Sequence, residues 1–136
     1  MPIEIRGLCP LLQVFDMPTS IRFYRDLLGF KIVGSSAALS ENPDDVNWSW
    51  LKLNEAEVML NTAYEAEYRP AEPEQAHFAG HGDTCLYLGC PDVDAAYRFL
   101  QEKGLDIEEP KVAPYGMKQL YITDPDQYRI CFQWTV

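Results

Sequence analysis

The sequence predicts an α+β chain in which one βαβββ module is written twice. Two observations carry this reading. Residues 9–16, CPLLQVFD, and residues 85–92, CLYLGCPD, both open on cysteine, run through an apolar stretch and close on aspartate. The likeness then continues: Arg22 and Phe23 match Arg98 and Phe99, and LNEAEVML matches PDQYRICF. An internal repeat decides architecture before any local propensity does.

Each element follows in order. LLQV and LYL are short apolar strands whose alternate residues face opposite ways. Asp16 and Asp92 stand where a helix N-cap belongs, since a carboxylate accepts from the free backbone N–H groups of a first turn. Ile21, Tyr24, Leu27 and Leu28 then form one apolar stripe, as do Val93, Ala96, Tyr97 and Leu100. Helices are expected near residues 17–28 and 92–103, closed by Gly29 and Gly104 in the C′ position that glycine favours. Three strands should follow each helix: FKIVGS, NWSWLKL and EVMLNT in the first half, LDIEEPKV, KQLYIT and RICFQW in the second. Between the last two, DPDQ carries Asp first and Pro second, the pattern of a type I turn. Module one spans about residues 8–62, a linker about 63–82, and module two about 83–134, within a single domain covering 1–136.

The totals narrow the function classes. With 136 residues the chain can bury a core without staples, and the four cysteines show no CxxC pair. Without a signal-like or membrane-length apolar run, a cytoplasmic protein with reduced thiols is expected, with no membrane partner. A net charge of -10 argues against nucleic acid, whose phosphates would be repelled, and leaves room for a cationic ligand.

LLQVFDMPTSIRFYRDLLGF resembles the opening of the vicinal oxygen chelate superfamily, the glyoxalase, bleomycin-resistance and dioxygenase group. YGMKQLYITDPDQYRICFQ is similar to its closing strand pair, and the likeness runs over roughly residues 8 to 134. One departure is Gln127, where the turn of these proteins usually carries glycine. The resemblance implies that the paired modules form a partly open barrel, as in dihydroxybiphenyl dioxygenase-like folds, whose concave face holds ligand or metal. It also implies a homodimer, because such modules commonly associate and open sheet edges need cover.

Metal-using members of that family place His, Gln or Glu on the first strand of a module and Glu or His on its last. Carried over residue by residue, these positions are Cys9, Met59, Cys85 and Cys131. None is the hard ligand an iron, manganese, nickel or magnesium enzyme uses. The sulfurs admit two readings. Cys and Met fill a dry cavity as soft apolar groups, the reading favoured by the burial habits of free cysteine, and no cofactor is then needed. Alternatively Cys9, Cys85 and Cys131 form a soft-metal site for copper(I), zinc or a similar transition metal. Cys90, five residues past Cys85, should point away from them. His77 and His81, within AHFAGHGD, fall at no family ligand position and suit the linker or a loop contact.

Strand parity sorts the remaining candidates. Cys85, Tyr87 and Gly89 should share the concave face, as should Cys9, Leu11 and Gln13. Glu57, Met59 and Asn61 join them, with Arg129, Cys131 and Gln133. Trp48 and Trp50 share a face opposite Leu51 and Leu53, although an ungapped repeat alignment would pair the two Trp with core-facing Leu120 and Ile122. The candidate ligand-binding residues are therefore Gln13, Trp48, Trp50, Met59 and Asn61 in the first half, and Tyr87, Tyr115 and Gln133 in the second. No catalytic residue is assigned. This apolar, aromatic lining implies binding or sequestration of a small aromatic or cationic molecule without metal, as in the bleomycin-resistance branch. The enzyme alternative is a metal-dependent lyase, isomerase or dioxygenase of the same superfamily with an unusual ligand set.

Overall fold

A computed structural model describes residues 2–136. The chain divides into two compact units, one up to Ala71 and one from Glu72 on, each an α+β module with the predicted βαβββ order.

In unit one, β1 (Leu11–Val14) leads into α1 (Met17–Ile21), followed by β2 (Lys31–Ser35), β3 (Trp48–Leu53) and β4 (Ala56–Thr62). The sheet order is β1-β4-β3-β2, with β1 parallel to β4 and the other pairs antiparallel. Asp16 caps α1, its carboxylate accepting from the Thr19 N–H at 3.2 Å. The helix continues through Arg22–Leu27 as a π-type turn, in which the Leu28 N–H donates to the Phe23 carbonyl five residues back. That wider turn alters the predicted stripe: Phe23 becomes buried and Leu27 only half-buried. Gly29 then takes a φ of 93°, open to glycine and strained for other residues. Leu12, Val14, Leu51, Val58 and Leu60 pack with Met17, Ile21 and Tyr24, all at most 3% exposed. Full burial of one such side chain is worth about 1.5–3 kcal/mol.

Unit two repeats the plan. Its β5 (Cys85–Gly89), α3 (Val93–Glu102), β6 (Lys111–Val112), β7 (Met117–Thr123) and β8 (Arg129–Thr135) give the order β5-β8-β7-β6. Again the first strand runs parallel to the last and the rest are antiparallel. Asp92 caps α3 by accepting from the Ala95 N–H at 2.9 Å, and Gly104 takes a φ of 91°. Leu120, Ile122 and Ile130 form the core with Val93 and Leu100. Both sheets are open, with β1 and β2 as edges of the first and β5 and β6 as edges of the second.

One expectation needs correction. LDIEEPKV is a strand only at Lys111–Val112, because Pro110 has no N–H for a ladder and Asp106, Glu108 and Glu109 crowd the run with charge. The stretch read as the inter-module linker, about residues 63–82, carries short turns at Ala66–Tyr68 and His81–Asp83, with a one-turn helix, α2, at Gln75–Phe78. The DPDQ turn forms as expected, its Gln127 N–H donating to the Asp124 carbonyl at 3.0 Å. Gln127 itself adopts a φ of 67°. Among the described residues no helix is long and apolar enough to cross a membrane.

Candidate functional site

Each sheet has one face packed on its helix and one turned away, and ladder register decides which side chains meet there. In unit one, Leu11 lies beside Met59 and Gln13 beside Asn61, while Trp50 and Trp48 oppose Met59 and Asn61 across β3–β4. Ser49 and Leu51, between and beyond the two tryptophans, are fully buried on the helix side. Trp48 and Trp50 therefore occupy the face away from the helix, and the ungapped alignment with Leu120 and Ile122 is out of register by one residue.

The polar groups of this face pair with one another. Trp50 Nε1 donates to Glu57 Oε1 at 3.0 Å, and Asn61 Nδ2 donates to Gln13 Oε1 at 3.2 Å. Gly34 on β2 makes room for both indoles: a Cβ there would stand 3.4 Å from Trp50 Cε3 and 3.6 Å from Trp48 Cη2. Cys9 precedes β1, and burial, helped by the Glu57 charge, pushes its thiol pKa up.

In unit two the face away from α3 carries Cys85 and Tyr87 on β5, with Arg129, Cys131 and Gln133 beside them on β8. Gln119, Tyr121 and Thr123 of β7 complete it. The Tyr87 and Tyr121 hydroxyls are 3.2 Å apart, and Tyr121 also donates to Gln119 Oε1 at 3.4 Å. Gln119 Nε2 donates to the Tyr115 hydroxyl at 2.8 Å and to Gln133 Oε1 at 3.0 Å. The Arg129 guanidinium lies over the Tyr121 ring, 4.9 Å from its centroid. Hydrogen bonding to Tyr87, followed by burial, pushes Tyr121 above the ordinary phenol range. Beside this face, where β7 lacks a full partner, a cleft of about 530 Å³ is lined by the Leu105–Glu109 segment, Gln119, Tyr121 and Thr123.

Parity reasoning thus groups Tyr87 and Gln133 within one unit, and Gln13, Met59 and Asn61 with the tryptophans in the other. Tyr115 joins through Gln119. Two members of the network, Gln119 and Tyr121, were absent from the sequence candidates. Their alternation with core-facing Leu120 and Ile122 is the signal that places them.

The thiols are quiet. Burial is the largest influence on Cys85, Cys90 and Cys131 and pushes all three upward, Arg129 acting in the opposite sense on Cys85 and Cys131. A nucleophilic or metal-binding cysteine needs the thiolate, so these surroundings favour inert packing. Cys90 lies past the end of β5, its Sγ 3.7 Å from the Asp92 carbonyl. His77 and His81 serve the β7–β8 turn: His77 Nε2 donates to Asp126 Oδ1 at 2.7 Å, and His81 Nδ1 donates to the Asp126 carbonyl at 2.6 Å. His81 also stacks on Tyr128 at 4.0 Å.

Two successive βαβββ modules, each with an aromatic and amide-bearing sheet face, define the fold class of the chain. The chain belongs to the Glyoxalase/Bleomycin resistance protein/Dioxygenase superfamily, whose family description matches residues 8–132. It is similar to the virulence protein STM3117 of Salmonella typhimurium, 29% identical over 120 residues that span 85% of this chain and 74% of the relative. Among solved structures it resembles TnmS3, an antibiotic binding protein from Streptomyces sp. CB03234, with a TM-score of 0.70 at 22% identity, covering 100% of this chain and 99% of that one. It also resembles TioX from Micromonospora sp. ML1, with a TM-score of 0.73 at 18% identity over 96% of this chain and 99% of the other.

The residues that the resemblance sets at metal positions do not fit a hard divalent ion. Cys9, Met59, Cys85 and Cys131 offer protonated thiols and a thioether where carboxylate or imidazole would be required. Nor do the described residues contain a group of three or more His, Cys, Asp or Glu arranged to hold a metal.

Proposed function

We propose that the protein binds and sequesters a small aromatic organic molecule without a resident metal. The observation that carries this reading is the make-up of the helix-free sheet faces. Trp48, Trp50 and Met59, with amides from Gln13 and Asn61, line one; Tyr87, Tyr121 and Gln133, edged by Tyr115, line the other. Two half-buried indoles and three exposed tyrosine rings, with a few convergent amides, suit a flat ligand, held by stacking and oriented by hydrogen bonds. The naming of TnmS3 as an antibiotic binding protein supports the same reading. Chemistry on the ligand finds little support, because the thiols are held protonated and His77 and His81 are engaged by the Asp126 turn.

The working form is a homodimer in the cytoplasm. The reason is physical: β1 and β5 leave ladder edges that a second copy can cover. A concentration-independent monomer in sedimentation would count against it.

Thermal denaturation with a panel of planar aromatic antibiotics, read alongside tryptophan fluorescence, tests the binding reading. A ligand should raise the melting temperature and quench the indoles. If no aromatic compound does either, the reading fails.

A further inference from the structure

The proposed function leaves open the charge of the ligand, and unit two bears on it. On its helix-free face the ladder positions hold no carboxylate at all: they are Cys85, Tyr87 and Gly89 on β5, and thiol, amide, hydroxyl, thioether or cationic groups on the other three strands. Two cations stand there. Lys111, at the far edge, is engaged by Glu108 at 3.4 Å. Arg129 makes no ion pair and donates no side-chain hydrogen bond among the described residues, although the chain as a whole has 21 acidic residues. It is exposed and held over the Tyr121 ring.

We propose that Arg129, with the Tyr87–Tyr121 hydroxyl pair, forms a subsite for the acidic group of an aromatic ligand, a carboxylate or a phenolate. This rests on the small-molecule reading above and adds the sign of the ligand's charge. A guanidinium presents a planar fork of donors that matches a carboxylate bidentately. Its place over the Tyr121 ring, 4.9 Å from the centroid, holds the guanidinium at the site in advance, so less freedom is lost on binding. Because Tyr121 donates to Gln119 Oε1, Tyr87, 52% exposed, is the donor within the hydroxyl pair, and a ligand oxygen would take over that O–H from Tyr121. The ligand's ring would then lie against the tyrosines while its acidic oxygens face Arg129. A cationic ligand would meet like charge at the same place.

The test is calorimetric titration of the full chain with three probes that share one ring system: naphthalene carboxylate, naphthalene carboxamide and naphthyl trimethylammonium. The carboxylate should bind tightest. Arg129→Gln should weaken it about 10- to 100-fold, the range for a hydrogen-bonded charge, and leave the carboxamide unchanged. Arg129→Lys should recover only part of the loss, because a point charge replaces the fork. Tyr87→Phe, which keeps the ring, should weaken the carboxylate alone. The inference is overturned if the carboxamide or the ammonium binds as tightly as the carboxylate. It is equally overturned if Arg129→Gln weakens all three alike, the mark of a merely structural role. Should none of the three bind while a neutral antibiotic still raises the melting temperature, the acidic subsite falls and the binding reading stands. If no aromatic compound binds, both fall.

Discussion

His77 and Asp126, 49 positions apart in sequence, form a buried pair in which Nε2 donates to Oδ1 at 2.7 Å, the side chains being 4% and 3% exposed. The pair fastens α2 to the turn that joins β7 and β8, and so ties the segment entering unit two to its central hairpin. Removing the imidazole would leave a buried carboxylate short of a donor, a situation that costs about 3 kcal/mol or more. Urea unfolding of His77→Ala should show a loss of that order. His77→Gln, which can restore an N–H in the same direction, should lose distinctly less.

Ser49 presents the opposite case. It is fully buried on the helix side of β3, and its hydroxyl has no hydrogen-bond partner among the described residues. A stranded hydroxyl costs about 1–3 kcal/mol. Ser49→Ala should therefore raise the denaturation midpoint without altering the unfolding slope, and an unchanged or lowered midpoint would show the hydroxyl to be satisfied in solution.

Asp16 sets an acid limit on stability. Burial works against its ionisation, but the Thr19 hydroxyl and amide, together with Arg69 at 2.9 Å, outweigh burial and hold the carboxyl below the usual aspartate range. A carboxyl depressed in the folded state contributes stability above its unfolded pKa, about 3.9, and loses it as pH falls through the lower folded value. Unfolding free energies measured down an acid series should fall more steeply for the native chain than for Asp16→Asn. Asn still caps the helix, so at neutral pH the variant should lose only what the charge adds through Arg69, about 1 kcal/mol or less.

How much of this was legible in the sequence depends on the range of the interaction. Asp16, Asp92, Gly29 and Gly104 act within one turn of backbone, so caps and helix ends could be read directly. The face of Trp48 and Trp50 needed the register of β3 against β4, which repeat alignment misjudged by one residue and the Trp50–Met59 pairing resolves. The π-type turn at Arg22–Leu27 left no trace in the apolar spacing. Pro110 did carry a warning against a full strand, yet the repeat outweighed it. The tyrosine and amide network around Gln119 depends on contacts between strands that no local pattern encodes.

Gln127 holds a backbone conformation that glycine favours, with a measurable consequence. Its φ of 67° lies in the left-handed region, which costs an ordinary side chain roughly 1–2 kcal/mol. Glycine would relieve that strain but has more freedom to lose on folding. Gln127→Gly should therefore stabilise the chain by a net of about 0.5–1 kcal/mol. The turn itself should persist, because Asp124 Oδ1 still accepts from the Asp126 and Tyr128 N–H groups, each at 2.9 Å.

Gly34 offers a way to disturb the tryptophans without touching them. It lies opposite Trp50 on β2, and a Cβ at that position would be 3.4 Å from one indole and 3.6 Å from the other. Those are ordinary contact distances, so Gly34→Ala should leave both rings in place. Gly34→Val adds two methyl groups directly against them, and the rings must tilt or the strand must shift. Because the sheet core lies on the opposite face, stability should fall by no more than the 1–3 kcal/mol that overpacking costs, at about the low end. Ligand affinity should respond more strongly, since stacking depends on ring orientation. The expected result is a tryptophan emission change in Gly34→Val together with weaker binding of whichever aromatic compound stabilises the native chain, and neither in Gly34→Ala. An emission change with affinity intact would place the aromatic ligand away from Trp48 and Trp50.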